Sequence, residues 1–181
     1  MSERLTLQPH PGLPAPPIHS FDVEVGRSAG RLTLLYLVSG EIDNILLPPV
    51  GGPPQRVDGL WQHSCFEAFV RSGEDSAYRE FNFSTSTAWA AYEFSGYREG
   101  MAPVEIASPP VNVFIGPRTI ALSCKLDLDA LASGNGPLRL NLSAVLEEKS
   151  GTKSYWALAH PPDGPPDFHD PRCFVFELPP E

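Results

Sequence analysis

Proline and glycine cut this chain into short pieces, and that spacing restricts it to folds made of short elements. The 181 residues include 21 prolines and 15 glycines. Such a load either keeps a chain disordered or marks turns between ordered segments. Here the breaks alternate with strongly apolar stretches, and 41% of the residues are hydrophobic, as a packed domain requires. Turns that divide a core-forming sequence so often favour strands over helices.

The segments between the breaks read as strands. Phe21 to Val25 alternates apolar and polar residues, and Arg31 to Val38 is β-rich enough to be buried on both faces. Leu60 to Val70 is another apolar segment, and Tyr78 to Ser84 with Ala88 to Phe94 reads as a hairpin. Val104 to Ala107, Val111 to Ile115, Thr119 to Lys125, Leu138 to Glu147, Tyr155 to Leu158 and Phe174 to Leu178 complete the series. At most one short helix is expected, at Asp127 to Leu131, where the Asp can cap a first turn. About ten strands at such spacing predict an all-β fold, a two-sheet antiparallel β-sandwich of jelly-roll or immunoglobulin-like form. Residues 1–20 read as a Pro-rich N-terminal extension and 21–181 as one sandwich domain.

Charge narrows the partners. A formal net charge of -9 repels phosphate backbones and anionic lipid surfaces, so neither nucleic acid nor membrane is an expected partner. Neutral polar molecules carry no such penalty. The cysteines Cys65, Cys124 and Cys173 are far apart and form no Cys-x-x-Cys pair, which fits a reducing cytoplasm. The sequence gives no oligomeric state.

Period-two alternation shows which side chains share a strand face. Trp61, His63, Cys65, Glu67 and Phe69 point one way, and Glu80, Asn82 and Ser84 point opposite Phe81 and Phe83. Asn141, Ser143 and Glu147 oppose Leu140, Leu142, Ala144 and Leu146. If these strands share a sheet, their polar residues line one surface. An ordinary solvated sheet face would give the same pattern. The composition also suits a small-molecule site: carboxylates, amides and hydroxyls, with Trp61, Trp89, Tyr92, Tyr97, Tyr155 and Trp156 nearby in sequence.

Familiar catalytic motifs are missing: no Gly-x-Ser-x-Gly, no phosphate-binding Gly-Lys-Ser/Thr loop and no His-Glu-x-x-His. Glu67, Glu80 and Glu147 could serve a glycoside hydrolase if suitably spaced. His160, Asp167, His169 and Asp170 resemble a metal-ligand cluster. A rigid, proline-set loop that hydrogen-bonds its own backbone explains them better, and no metal is expected. Met101, the sole internal methionine, keeps a His–Met haem site in view.

Two stretches together resemble a known family. One runs Leu60-Trp61-Gln62-His63-Ser64-Cys65-Phe66-Glu67-Ala68-Phe69-Val70, then Tyr78-Arg79-Glu80-Phe81-Asn82-Phe83-Ser84, Trp89-Ala90-Ala91-Tyr92 and Gly96-Tyr97-Arg98-Glu99-Gly100-Met101. The other is Ser154-Tyr155-Trp156-Ala157-Leu158-Ala159-His160-Pro161 followed by Pro166-Asp167-Phe168-His169. They resemble the bacterial DOMON-like domains related to family 9 carbohydrate-binding modules. The resemblance implies a β-sandwich that binds a saccharide or a haem without catalysis. In the sugar-binding members, aromatic rings clamp a terminal sugar while polar side chains fix its hydroxyls. Carried over, Glu67, Glu80 and Asn82 would hold the ligand, with Trp89, Tyr97, Arg98 and Trp156 as walls. His160 and His169, in the loop beyond, complete the candidate set. The calcium-binding acidic run of those modules has no counterpart in the Pro-rich loops. The expectation is a non-catalytic binder of a carbohydrate or sugar-like metabolite. A haem-binding electron-transfer domain, a glycoside hydrolase and a protein-interaction domain are the alternatives.

Overall fold

The computed structural model describes residues 2–128 and 136–180. Thirteen strands are described: β1 Ser2–Thr6, β2 Gln8–Pro9, β3 Ile18–Ser28, β4 Arg31–Gly40, β5 Cys65–Ser72, β6 Tyr78–Phe83, β7 Trp89–Phe94, β8 Ala102–Pro103, β9 Val111–Gly116, β10 Thr119–Asp127, β11 Leu138–Glu147, β12 Lys153–Ala157 and β13 Phe176–Leu178. They form two antiparallel sheets, as the spacing of turns predicts. One is five-stranded, in the order β1-β3-β4-β10-β9. The other is eight-stranded, in the order β2-β12-β11-β5-β6-β7-β8, with β13 also pairing with β11.

Alternation sets the core. Leu32, Leu34, Tyr36 and Val38 point inward from β4, and Leu140, Leu142, Ala144 and Leu146 point inward from β11. Aromatic rings bridge the sheets, with Phe21 and Phe66 centroids 6.0 Å apart and Tyr36 and Phe66 5.4 Å apart. The Tyr36 hydroxyl is satisfied by the Glu67 carbonyl at 2.7 Å, so a polar tip crosses the core without an open hydrogen bond.

Several expectations need correction. β4 is not buried on both faces: Thr33, Leu35, Leu37 and Ser39, on the outer face of the five-stranded sheet, are only half-buried. The first twenty residues do not stand apart from the sandwich. β1 pairs with β3 from Ser2 to Thr6, and β2 pairs with β12, leaving the proline-rich residues 10–17 between β2 and β3 outside the sheets. Val104 to Ala107 is not a strand, since pairing stops at Pro103. The short helix expected at 127–131 falls from residue 129 on outside the described residues, and Asp127 itself ends β10. At the end of β4, Gly40 has φ +151°, and a Cβ there would sit 2.6 Å from the Pro17 carbonyl oxygen. Only glycine allows the chain entering β3 to cross so close.

The two sheets differ in what lies on their outer faces. β11 is buried almost throughout on both faces. A second apolar cluster, Phe69, Tyr78, Ala90, Tyr92, Phe94, Val145 and Ala157, covers the outside of the eight-stranded sheet and meets Phe168 and Phe174. These last two come from the irregular segment between β12 and β13. It is a third, strandless layer, and the candidate site lies between it and the sheet.

Candidate functional site

β5, β6 and β11 are adjacent, so the polar residues read from their alternation do share one face. Glu67 is opposite Asn82 on β6 and opposite Ser143 on β11. The face is not solvated, however. Glu67 is 2% exposed, Glu80 4%, and Asn82, Asn141 and Ser143 are fully buried. Burial of that kind requires hydrogen-bond partners. Asn82 donates to Glu80 Oε1 at 2.7 Å, and Ser143 Oγ donates to Glu67 Oε2 at 3.3 Å. Asn141 Nδ2 donates to the Phe168 carbonyl at 2.9 Å and so fastens the covering segment to the sheet. Two oxygens of the face, Glu67 Oε1 and Asn141 Oδ1, have no hydrogen-bond partner among the described residues, and of these two residues Glu67 lines the cavity.

Above Glu67 and Glu80 is an open cavity of about 360 Å³. That falls at the lower end of the range of about 300–1,000 Å³ typical of small-molecule sites. Phe69 and Phe94 contribute from the sheet, Val145 and Tyr155 from β11 and β12, and Pro166, Phe168 and His169 from the covering segment. Trp61, Arg98 and Met101 close the remaining sides. Trp61 reaches the cavity because the expected strand from Leu60 starts late. A 3-10 turn at Leu60–Gln62, after Gly59 at φ +77°, precedes β5. Trp61 thus leaves the strand alternation and packs edge-on to Tyr92, centroids 5.7 Å apart. His63 leaves it too and bonds Glu147 Oε2 at 2.7 Å.

A chain of hydrogen bonds ties the cavity wall to the sheet. Arg98 has φ 55°, unusual for a side chain with a Cβ. Its amide donates to the Tyr78 hydroxyl at 3.2 Å, and that hydroxyl lies 2.7 Å from His169 Nδ1. The network assigns the Tyr78 proton to Nδ1, which leaves the imidazole proton on Nε2. Nε2 faces Glu80 Oε2 at 3.6 Å. Asp167 accepts from Arg98 Nη2 at 2.8 Å, from the Tyr97 hydroxyl at 2.5 Å and from the His169 amide at 3.1 Å.

The electrostatics follow from burial. Desolvation raises the Glu67 carboxyl well above its ordinary 4.5, and neighbouring Glu80 raises it further against the pull of Ser143. Glu80 is also raised by burial, while Asn82 and Arg98 pull it down. Burial and then Arg98 lower His169 to about 4, so it is neutral near pH 7. Burial pushes Asp167 up, but its bonds from Tyr97 and Arg98 prevail and hold it below the usual carboxylate value. Tyr78 is raised to about 12, mainly by burial.

Of the sequence candidates, Glu67, Glu80, Arg98 and His169 line the cavity. Asn82 supports Glu80 from below, and Tyr97 supports Asp167 from outside. The other three lie elsewhere. Trp89 and Trp156 point from the opposite faces of their strands into the inter-sheet core, Trp89 under the Arg56 guanidinium and Trp156 5.6 Å from Phe21. They are not walls of this cavity. His160 bonds the Gln8 carbonyl at 2.9 Å and lies behind Phe168. The suspected metal cluster is dispersed in the same way, since Asp170 is engaged by Arg172 and His169 by Tyr78. No group of three metal-ligating side chains forms among the described residues. A haem does not fit either. Met101 and His169 both line the cavity, but both imidazole nitrogens face protein groups. Met101, which the sequence offers only as a haem ligand, is a cavity wall, and Phe168 joins it with no local pattern to mark it, through chain packing alone.

Comparison with known proteins gives a fold and no family. No family model matches the chain, and no curated protein sequence matches it. A crystal structure of a candidate carbohydrate-binding protein from Bacteroides uniformis superposes with a TM-score of 0.74 at 14% identity, over 96% of this chain and 83% of that one. A family 9 carbohydrate-binding module from Caldicellulosiruptor kristjanssonii, in complex with cellotriose, gives a TM-score of 0.46 at 11% identity, over 78% of this chain and 66% of that one. A family 9 module from the same organism, in complex with glucose, gives 0.45 at 11% identity, over 78% of this chain and 67% of that one.

Proposed function

We propose that this chain is a non-catalytic domain that binds a small saccharide, one ring or the end of a longer chain, in the cavity beside Glu67. The observation that carries the reading is the buried Glu67 carboxyl, 2% exposed, with one oxygen unpartnered at the edge of an aromatic-walled cavity. An unmet buried acceptor carries an energetic penalty that a ligand donor would remove. Sugars present hydroxyl donors and apolar C–H faces together, and the site has carboxyl and ring groups to match. The shared fold with a candidate carbohydrate-binding protein supports the reading. A DOMON-like kinship is in keeping with it. Three separate, buried, free cysteines support a reducing, cytoplasmic location.

Calorimetry against a panel of neutral, amino and acidic mono- and disaccharides tests it. At least one should bind saturably, and Trp61→Ala should weaken that binding by about tenfold, the loss of one ring contact. Trp61 is 37% exposed, so the variant should melt close to the parent. Chromogenic glycosides should stay intact. A panel without any saturable binding would sink the proposal.

A further inference from the structure

We infer that the cavity selects a saccharide bearing a free amino group, held as an ammonium between Glu67 and Glu80. This deepens the saccharide reading and rests on it. Glu67 lies opposite Asn82, and Glu80 opposite Phe69, so the two carboxyls are diagonal neighbours on adjacent strands. Each ionised carboxylate has about four acceptor positions. The protein supplies few donors: Ser143 to Glu67 at 3.3 Å and Asn82 to Glu80 at 2.7 Å, with Glu67 Oε1 left unpartnered.

Charge argues the same way. The basic side chains among the described lining residues are Arg98 and His169. Arg98 is already balanced by Asp167 at 2.8 Å. His169 is lowered to about 4 and is neutral near pH 7. The floor therefore carries two carboxyls with no cation of their own, Arg98 acting on Glu80 only from its pairing with Asp167. A sugar hydroxyl could give each a hydrogen bond but no charge. An ammonium gives three N–H donors and the missing positive charge, and bonds between ionised partners are roughly twice as strong as neutral ones. A uronate would meet like charge. Because burial favours the protonated form of Glu67, capture of an ammonium should release a proton from that carboxyl to solvent.

The test is calorimetry at about pH 6.5, where an amino group of ordinary pKa is charged. The ligands are glucosamine, glucose, N-acetylglucosamine and glucuronate. Glucosamine should bind at least tenfold more tightly than the other three. Its binding heat should differ between phosphate and Tris buffers, as proton release requires. Glu67→Gln should bring the glucosamine-to-glucose ratio towards one, whatever it does to the affinity for glucose. Glu80→Gln serves as the second variant, and melting curves establish that both are folded. If glucose or N-acetylglucosamine binds as tightly as glucosamine, or if both variants keep the preference, the inference is overturned and the saccharide reading stands. If none of the four sugars binds, both fall.

Discussion

The stability of Glu67→Gln relative to the parent should rise with pH. The substitution keeps side-chain length and an oxygen that can accept from Ser143, but it removes the titration. Glu67 is essentially fully buried, and its pKa in the fold is raised above the ordinary 4.5 by desolvation and then by Glu80. The folded protein therefore keeps a proton that the unfolded chain gives up. That contribution to stability is fully present below about pH 4.5 and is lost as pH rises through the folded value. Across each pH unit in that window, the parent should lose up to about 1.4 kcal/mol relative to the variant. For a chain of this size, 1 kcal/mol moves Tm by about 2–4 °C, so the gap between variant and parent should widen by about 3–6 °C per pH unit. Glu80 is raised as well, so the variant keeps some slope of its own, and the Glu67→Gln/Glu80→Gln double variant should be flatter still. The assay is thermal unfolding from pH 5 to 8 in buffers of matched ionic strength. A gap that stays constant over that range would show that Glu67 titrates as a hydrated carboxyl, and the burial argument would fail.

Other outcomes follow from the same geometry. Trp89→Ala should destabilise the protein by about 3–5 kcal/mol, as for other large core residues, because Trp89 lies in the inter-sheet core; a folded, stable variant with selective loss of ligand would contradict that placement. Asp167→Asn should release Arg98 and Tyr97 and weaken ligand binding at neutral pH. Since Asp167 is held below its usual value, the parent's stability advantage over this variant should shrink as pH falls through that lowered value, and melting curves from pH 7 to 3 would check the direction. Gly100→Ala should cost about 1–2 kcal/mol, since φ is +65° and a Cβ would lie 2.5 Å from Ser95 Oγ; unchanged stability in urea titration would refute it.

Much of the fold was legible because it rests on local alternation. Period two gives the strands of the β6–β7 hairpin and the common parity of the polar residues on β5, β6 and β11, whereas the pairing that puts them on one face is long-range. Alternation cannot say which face of a strand is the inner one for an isolated residue, which is why Trp89 and Trp156 read as cavity walls but lie in the inter-sheet core. Both have the parity of core residues, alongside Ala91 on β7 and Ser154 on β12. Nor can it foresee that the polar face would be dry. Its cover comes from residues near Phe168, about one hundred positions from Glu67, and is fastened by the bond from Asn141 to the Phe168 carbonyl. Trp61 leaves the strand that its alternation predicts because Gly59 turns the chain just before β5. Nothing local marks Ser2–Thr6 as a strand beside the prolines that follow, since what fixes it is long-range: Arg4 and Thr6 both reach Asp22 on β3.

The covering layer bears on how a ligand would arrive. It carries Pro161, Pro162, Pro165, Pro166 and Pro171, each with φ confined by its ring. Asn141, Arg98, Tyr97 and Tyr78 then hold it at four points, through Phe168, Asp167 and His169. The conformational freedom of this wall is thus surrendered when the chain folds, not when a ligand enters. Binding then has little loop ordering to offset, so association should proceed without a closure step, and affinity should be tuned mainly through the dissociation rate.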